Sequence, residues 1–197
     1  MNEYKRHHQT SINVQKQANL IWNVAKILRG LYKPHEYGKV ILPMTVIKRL
    51  HDTLLKTREE VLKTAENTQS MNDVMREHLL KNASGYSFYN TSLYTFETLL
   101  ADPANIESNF RAYLNGFSEN MQDILDNFKF DVEITTMADN DALFYVIQEF
   151  NKADAYLGPD KMTSTDMGYV FEELVRKFSE SYNEEAGAHF TSRDIIY

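Results

Sequence analysis

The 197-residue chain contains 43% hydrophobic and 25% charged residues, a composition typical of a globular protein with its own core. It has no cysteine, so disulfide bonds and thiolate metal sites are excluded. The first ten residues lack the apolar stretch of a signal peptide, and the longest apolar run, 142–147, is too short to span a bilayer. We therefore expect a cytoplasmic protein with no membrane contact.

The formal net charge of −7 is unevenly distributed along the chain. Residues 1–63 carry twelve Lys/Arg and five Asp/Glu, whereas residues 64–197 carry nine Lys/Arg and twenty-three Asp/Glu. This division indicates one surface for an anionic partner and another surface for a different partner. A chance excess of charge on solvated helices explains the same counts, so charge alone leaves both interpretations open.

Helical periodicity dominates the first third of the chain. Residues 12–29 place apolar side chains three and four residues apart, and Gly30 follows as a stop. Residues 35–63 predict a longer helix, of which 40–47 is apolar on all sides and therefore belongs in the middle of a bundle. Pro43 removes a backbone donor there, so we expect a kink or a break.

The rest of the chain also favours helices. A weaker helix is predicted over 71–81, and four more follow, beginning or ending at Asp102 and Pro103, Gly116, Ser118, Asp139 and Ser164. Residues 128–134, FKFDVEI, alternate as a short strand does, which leaves one very short hairpin open. The predicted fold class is all-α, a multi-helix bundle with a kinked central helix.

The histidines, one aromatic segment and the spacing of the glycines each bear on a possible functional site, and none of them supports one. The six histidines show no repeated ligand spacing, so we interpret them as structural and predict no metal site. The aromatic segment 85–96 could stack on bases, but no cation lies between Lys81 and Arg111, so we predict that it packs on the bundle. No two of the seven glycines lie within three residues, so the turn that cradles a nucleotide-type cofactor is missing.

Long blocks of the sequence resemble the modification subunits of type I restriction–modification systems. The blocks are LIWNVAKILRGLYKPHEYGKVILPMTVIKRL, FYNTSLYTFETLLADPANIESNFRAYLNGFSENMQDILDNFKF, MGYVFEELVRKFSE and AGAHFTSRDII. The resemblance begins at about Ile12 and covers nearly the whole chain. It implies an adenine-specific DNA methyltransferase that uses S-adenosylmethionine, with a helical N-terminal domain ahead of a Rossmann-like catalytic domain.

The resemblance also implies a division of the chain. We expect a flexible tail at 1–11, the helical N-terminal domain at 12–183, and the start of the catalytic domain at 184–197. The glycine-rich and Asn-Pro-Pro-aromatic motifs of such a catalytic domain are absent, because the four prolines are isolated. We therefore expect no catalytic residues here and no activity from this chain alone; a free-standing enzyme has little support.

The final segment is similar to the one that opens the family's catalytic domain and contributes to its cofactor pocket. Gly187 belongs to this pattern, while Ala188 stands where Glu or Gln is usual and Ser192 where Pro is usual. The resemblance thus implies a partial S-adenosylmethionine site at Ala188, His189, Phe190, Thr191, Ser192 and Arg193.

We expect the basic first third to contact phosphates without reading sequence. The proposed contacts are Lys39, Lys48, Arg49, Lys56, Arg58 and Lys63. The partners that the resemblance implies are duplex DNA, a specificity subunit, a restriction subunit and a second modification subunit. The alternative is a helical bundle for protein–protein interaction alone, which the Asp/Glu residues interspersed between Arg49 and Lys63 favour.

Overall fold

The computed structural model describes residues 3–182, and every regular element within that range is helical. The α-helices are α1 Glu3–Leu28, α2 Gly38–Leu54, α3 Arg58–Asn67, α4 Asp73–Ser84, α5 Phe96–Leu100, α6 Ile106–Asn115, α7 Glu119–Asn127, α8 Phe130–Asp139, α9 Leu143–Phe150 and α10 Ser164–Tyr182. Short 3₁₀ turns lie at Pro34–Glu36, Leu55–Thr57, Pro103–Asn105 and Ala153–Ala155. The all-α class is confirmed.

The hairpin left open at 128–134 does not form in the described residues. Phe128 follows α7, and Phe130 already begins α8. Lys129 between them has a φ of 54°, in the left-handed region, which turns the chain from one helix directly into the next. The local alternation of apolar residues is therefore overridden by helix–helix packing on both sides.

The first two helices differ from their predicted bounds. α1 begins at Glu3, so residues 3–11, which the sequence assigned to a tail, are helical. α2 continues through Pro43 and is kinked rather than broken. The predicted helix over 35–63 divides instead at Leu55–Thr57, where the Thr57 hydroxyl donates to the Ser84 carbonyl at 2.9 Å.

The chain divides into two compact units, Met1–Arg49 with Tyr145–Tyr197 as the first and Leu50–Phe144 as the second. In the first unit, α1 packs against α10 and against the 153–155 turn, and α10 also packs on the 34–36 turn. Gly38 lies under Phe178, whose Cγ would be 3.2 Å from a Cβ at that position. The core of this unit includes Leu20, Val24, Leu28, Val40, Ile41, Met44, Ile47, Val146, Phe150, Leu157, Phe171 and Leu174.

The second unit is organised around buried aromatic rings. The Tyr113 ring lies 5.5 Å from that of Phe117 and 6.0 Å from that of Phe96, both at steep angles that suit aromatic edges and faces. Phe110 and Phe130 meet edge-on at 6.5 Å, joining α6 to α8. All five rings are at most 2% exposed, so they form the centre of this unit.

Several of the predicted helix boundaries are confirmed. α6 ends before Gly116, α7 follows Ser118, and α10 begins at Ser164. Asp139 was wrongly assigned as the cap of a following helix, because it is the last residue of α8. The chain turns after it through Asp141, at a φ of 57°, and α9 starts at Leu143.

Candidate nucleic-acid interface

Two of the six cations predicted to contact phosphates are held inside the first unit. Lys48 is 6% exposed. The Arg49 guanidinium is half-buried, and its Nη1 donates to the Leu157 carbonyl at 2.6 Å and to the Met162 carbonyl at 2.7 Å. Arg49 thereby ties α2 to the 157–162 turn, so we remove these two residues from the proposed contact surface.

Arg58 also has an internal role, in the second unit. Its Nη1 donates to the Ser92 carbonyl at 3.0 Å, and burial lowers the pKa of this guanidinium from its ordinary value. The side chain stays charged, because arginine does not lose its proton in proteins. It therefore stabilises the 85–95 loop, and it is only partly available to a phosphate.

The three remaining candidates lie on the surface. Lys39 is in the first turn of α2, with its Nζ 3.5 Å from Glu36 Oε1. The Lys33 backbone N–H donates to Glu36 at 2.9 Å and is the main reason that the pKa of this carboxyl is lowered. Lys56 and Lys63 are exposed in the second unit. These three lysines are sterically open to a polyanion.

Sequence reasoning missed a further cationic surface on α1. Lys16, Lys26 and Arg29 are all exposed, and Trp22 between them is 56% exposed. The signal was present in the sequence, because residues 4–35 contain six Lys/Arg and no Asp/Glu. Over residues 1–63 as a whole this stretch is not distinguished, because α2 and α3 carry cations and acids together.

The segment 97–141 has the opposite charge, with ten Asp/Glu and two Lys/Arg. Arg111 on α6 is enclosed by acceptors: it pairs with Glu107 at 3.3 Å and with Asp131, and donates to Thr135 Oγ1 at 2.8 Å. A cleft of about 290 Å³ between α6, α7 and α8 lies beside it. The surface of this region is therefore acidic, and its Arg111 is already paired with carboxylates.

The aromatic segment packs on the second unit, as predicted. Phe88 and Phe96 are buried, and the Thr91 N–H donates to the Gly116 carbonyl at 2.9 Å. A Cβ at Gly116 would lie 2.4 Å from Asn90 Oδ1 and 2.7 Å from the Ser92 backbone nitrogen. Only glycine allows the segment and the end of α6 to approach this closely.

A buried polar pair lies under this segment. The Tyr113 hydroxyl and His51 Nδ1 are 2.8 Å apart, and both side chains are at most 9% exposed. Burial raises the pKa of Tyr113 well above its ordinary value, so the phenol stays neutral. The pair satisfies two polar groups in the core, which agrees with the structural interpretation of His51.

The predicted cofactor residues 188–193 lie outside the described residues. Among the side chains that the structure describes, no three His, Asp or Glu converge as a metal site requires. The helices of residues 3–182 are each too short or too polar to cross a membrane.

The family follows from comparison with known protein families. A family model described as the HsdM N-terminal domain, from the modification subunit of type I restriction–modification systems, matches residues 17–150. The chain belongs to this family. The match begins within α1 and ends with α9, and it confirms the resemblance over that range. Among curated proteins, none matches the chain.

Proposed function

We propose that this chain holds duplex DNA and the specificity subunit for an adenine-specific, S-adenosylmethionine-dependent methyltransferase of the cytoplasm. The methyl group would go to the exocyclic amine of an adenine turned out of its duplex. The groups that perform this step belong to a catalytic domain after the helical one, with residues 188–193 contributing to the cofactor pocket. The restriction subunit and a second modification subunit complete the proposed assembly.

The observation that carries this proposal is the exposure of cations in a domain of this family. Lys39, Lys56 and Lys63 are open to solvent, and α1 adds an exposed basic surface. Each lysine that neutralises a phosphate releases condensed counterions, which favours binding whatever the base sequence. The proposed grip is therefore electrostatic, and sequence is read by the specificity subunit.

The test measures the affinity of the chain for a short duplex of mixed sequence between about 50 and 200 mM salt. We expect a log–log slope of about −0.9 for each phosphate contacted. A Lys39→Gln, Lys56→Gln, Lys63→Gln variant should bind more weakly on every duplex and show a shallower slope. The matched control is Lys81→Gln, Lys152→Gln, Lys177→Gln, which removes the same charge from other surface positions and should leave the slope unchanged.

A second candidate is a protein-interaction bundle that makes no contact with DNA. Exposed Glu59, Glu60 and Glu66 accompany Lys56 and Lys63 in and beside α3, and acids dominate 97–141. Salt-independent association with a specificity subunit, together with no binding of the duplex at the lowest salt, would favour this candidate. Equal effects of the two triple variants would remove the three lysines from the proposed contact surface.

A further inference from the structure

The described part of α1 has a buried face and an exposed face of different chemistry. Leu20, Val24 and Leu28 are at most 6% exposed and belong to the face that packs in the first unit. On the other side, Ala18, Trp22 and Lys26 follow one another at helical spacing, and Arg29 comes directly after the last residue of α1, with its N–H still donating to the Ala25 carbonyl at 3.0 Å. All four are exposed. These four exposed residues form the Trp22 face.

The Trp22 face is cationic and lacks neighbouring acids in the sequence. Residues 4–35 contain no Asp or Glu. Within the described residues, neither Lys26 nor Arg29 forms a salt bridge. Their charges are therefore not neutralised by the described part of the chain, which makes this face complementary to a polyanion.

Another exposed aromatic residue of the first unit is followed in sequence by acidic residues instead of cations. Tyr169 on α10 is 53% exposed, close to the 56% of Trp22. It is followed by Glu172 and Glu173, and Arg176 donates to Glu173 at 2.7 Å. Exposure of an aromatic ring is thus common to both helices, whereas the unpaired cations distinguish the Trp22 face.

The dimensions of the face suit a DNA strand. From Trp22 to Arg29 the chain rises about 10 Å, and about 10 Å of duplex axis carries about three phosphates of one strand. Two cations beside a large aromatic ring combine phosphate neutralisation with an apolar contact. An acidic protein surface supplies carboxylates at less regular spacing and no continuous line of charge.

We propose that the Trp22 face lies along the sugar–phosphate backbone of duplex DNA. Lys26 and Arg29 contact phosphates, and the Trp22 indole packs against the next sugar beyond Lys26. This inference rests on the proposed function, because it takes DNA as the partner, and it adds a surface that the six cations chosen from the sequence did not include. Its failure and the failure of DNA binding give different results in the experiment below.

Trp22 is the only tryptophan of the chain, so its fluorescence reports on this face directly. The chain is titrated with a short duplex while tryptophan emission and the anisotropy of labelled DNA are followed in parallel. We expect the emission to change and to saturate with the same dissociation constant as the anisotropy. Sodium polyglutamate, a polyanion without sugars or bases, should change the emission much less at equal charge.

Variants separate the roles of the charges and the ring. Lys26→Gln, Arg29→Gln should weaken binding at least tenfold at low salt and make the log–log slope shallower by about 1.8. Trp22→Ala should weaken binding several-fold with the slope unchanged, because no phosphate contact is lost. The matched controls are Arg176→Gln, Lys177→Gln and Tyr169→Ala on α10, which should alter neither quantity.

Three results would overturn the inference. DNA binding with unchanged tryptophan emission, and equal effects of the α1 and α10 variants, would reject the Trp22 face and leave the proposed function standing. Tight binding of polyglutamate with the full emission change would identify an acidic protein as the partner of this face. Absence of any DNA binding would reject both proposals together.

Discussion

The cations of the α1 region and the arginines Arg58 and Arg111 of the second unit are used in opposite ways. In residues 4–35 the cations have no acidic neighbours in sequence, and those described at Lys26 and Arg29 are exposed and without salt bridges. In the second unit, Arg58 donates to a backbone carbonyl and Arg111 is enclosed by carboxylates and a hydroxyl. An arginine that already donates within the fold is therefore less available to a partner than one that does not.

The largest expected effect concerns the close approach in the second unit. Gly116→Ala places a Cβ against Asn90 and the Ser92 backbone, and backbone cannot move aside as a flexible side chain can. We expect the free energy of unfolding to fall by about 3 kcal/mol in urea unfolding. Gly168→Ala in α10 is the control: a Cβ there would meet no atom within 4 Å apart from its own helix backbone and chain neighbours, and helix propensity should make it neutral or stabilising by up to about 1 kcal/mol. Equal effects would contradict the packing described for Gly116.

The next effect tests whether Arg49 is a structural residue. Arg49→Met removes the donor for the Leu157 and Met162 carbonyls, and should cost about 2 kcal/mol of unfolding free energy. The control Arg176→Met breaks an exposed pair with Glu173 and should change the stability by no more than about 0.5 kcal/mol. Both variants should bind DNA equally. Weaker DNA binding by Arg49→Met at unchanged stability would return Arg49 to the contact surface.

A smaller effect tests the buried pair of the second unit. Tyr113→Phe leaves His51 Nδ1 without its hydroxyl partner and should cost about 1 kcal/mol at neutral pH. Because burial raises the pKa of Tyr113, the neutral phenol stabilises the fold fully below the unfolded pKa of about 10, and this contribution is lost as the pH rises further. The difference in unfolding free energy between the parent chain and Tyr113→Phe should therefore shrink above about pH 10.

The control for that pH dependence is Tyr169→Phe, at an exposed tyrosine of the first unit. Its difference from the parent chain should stay small and constant over the same pH range, since the hydroxyl is solvated in both states. If the difference in unfolding free energy between the parent chain and Tyr113→Phe did not change with pH, the phenol would ionise as readily in the folded state as in the unfolded state.

Most of the fold was predictable because its signals are local. Apolar periodicity located the helices, and Gly116, Ser118 and Ser164 marked boundaries that the structure keeps. Where the prediction was wrong, a distant contact decided the outcome. The break at 55–57 is tied to Ser84, and the would-be strand at 128–134 turns through a left-handed Lys129 into α8.

The candidate interface was less predictable, because residue type says nothing about burial. Lys48 and Arg49 follow the apolar run 40–47 and are drawn into the same interior, as a fully buried helix surface requires. Sequence patterns did not assign Trp22 to the core or to a contact surface, although no acidic residue lies near it in the sequence. The predicted cofactor residues 188–193 and the domain boundary at 184 stay predictions.

The contrast between the two regions is tested most directly by lysine acetylation, read by mass spectrometry with and without saturating duplex DNA. We predict that DNA protects Lys16, Lys26 and Lys33 of the acid-free stretch, together with Lys39, Lys56 and Lys63, and leaves Lys81, Lys129, Lys152 and Lys177 as reactive as before. Protection of Lys129 or Lys177 with none at Lys26 would contradict the assignment of the DNA-binding surface.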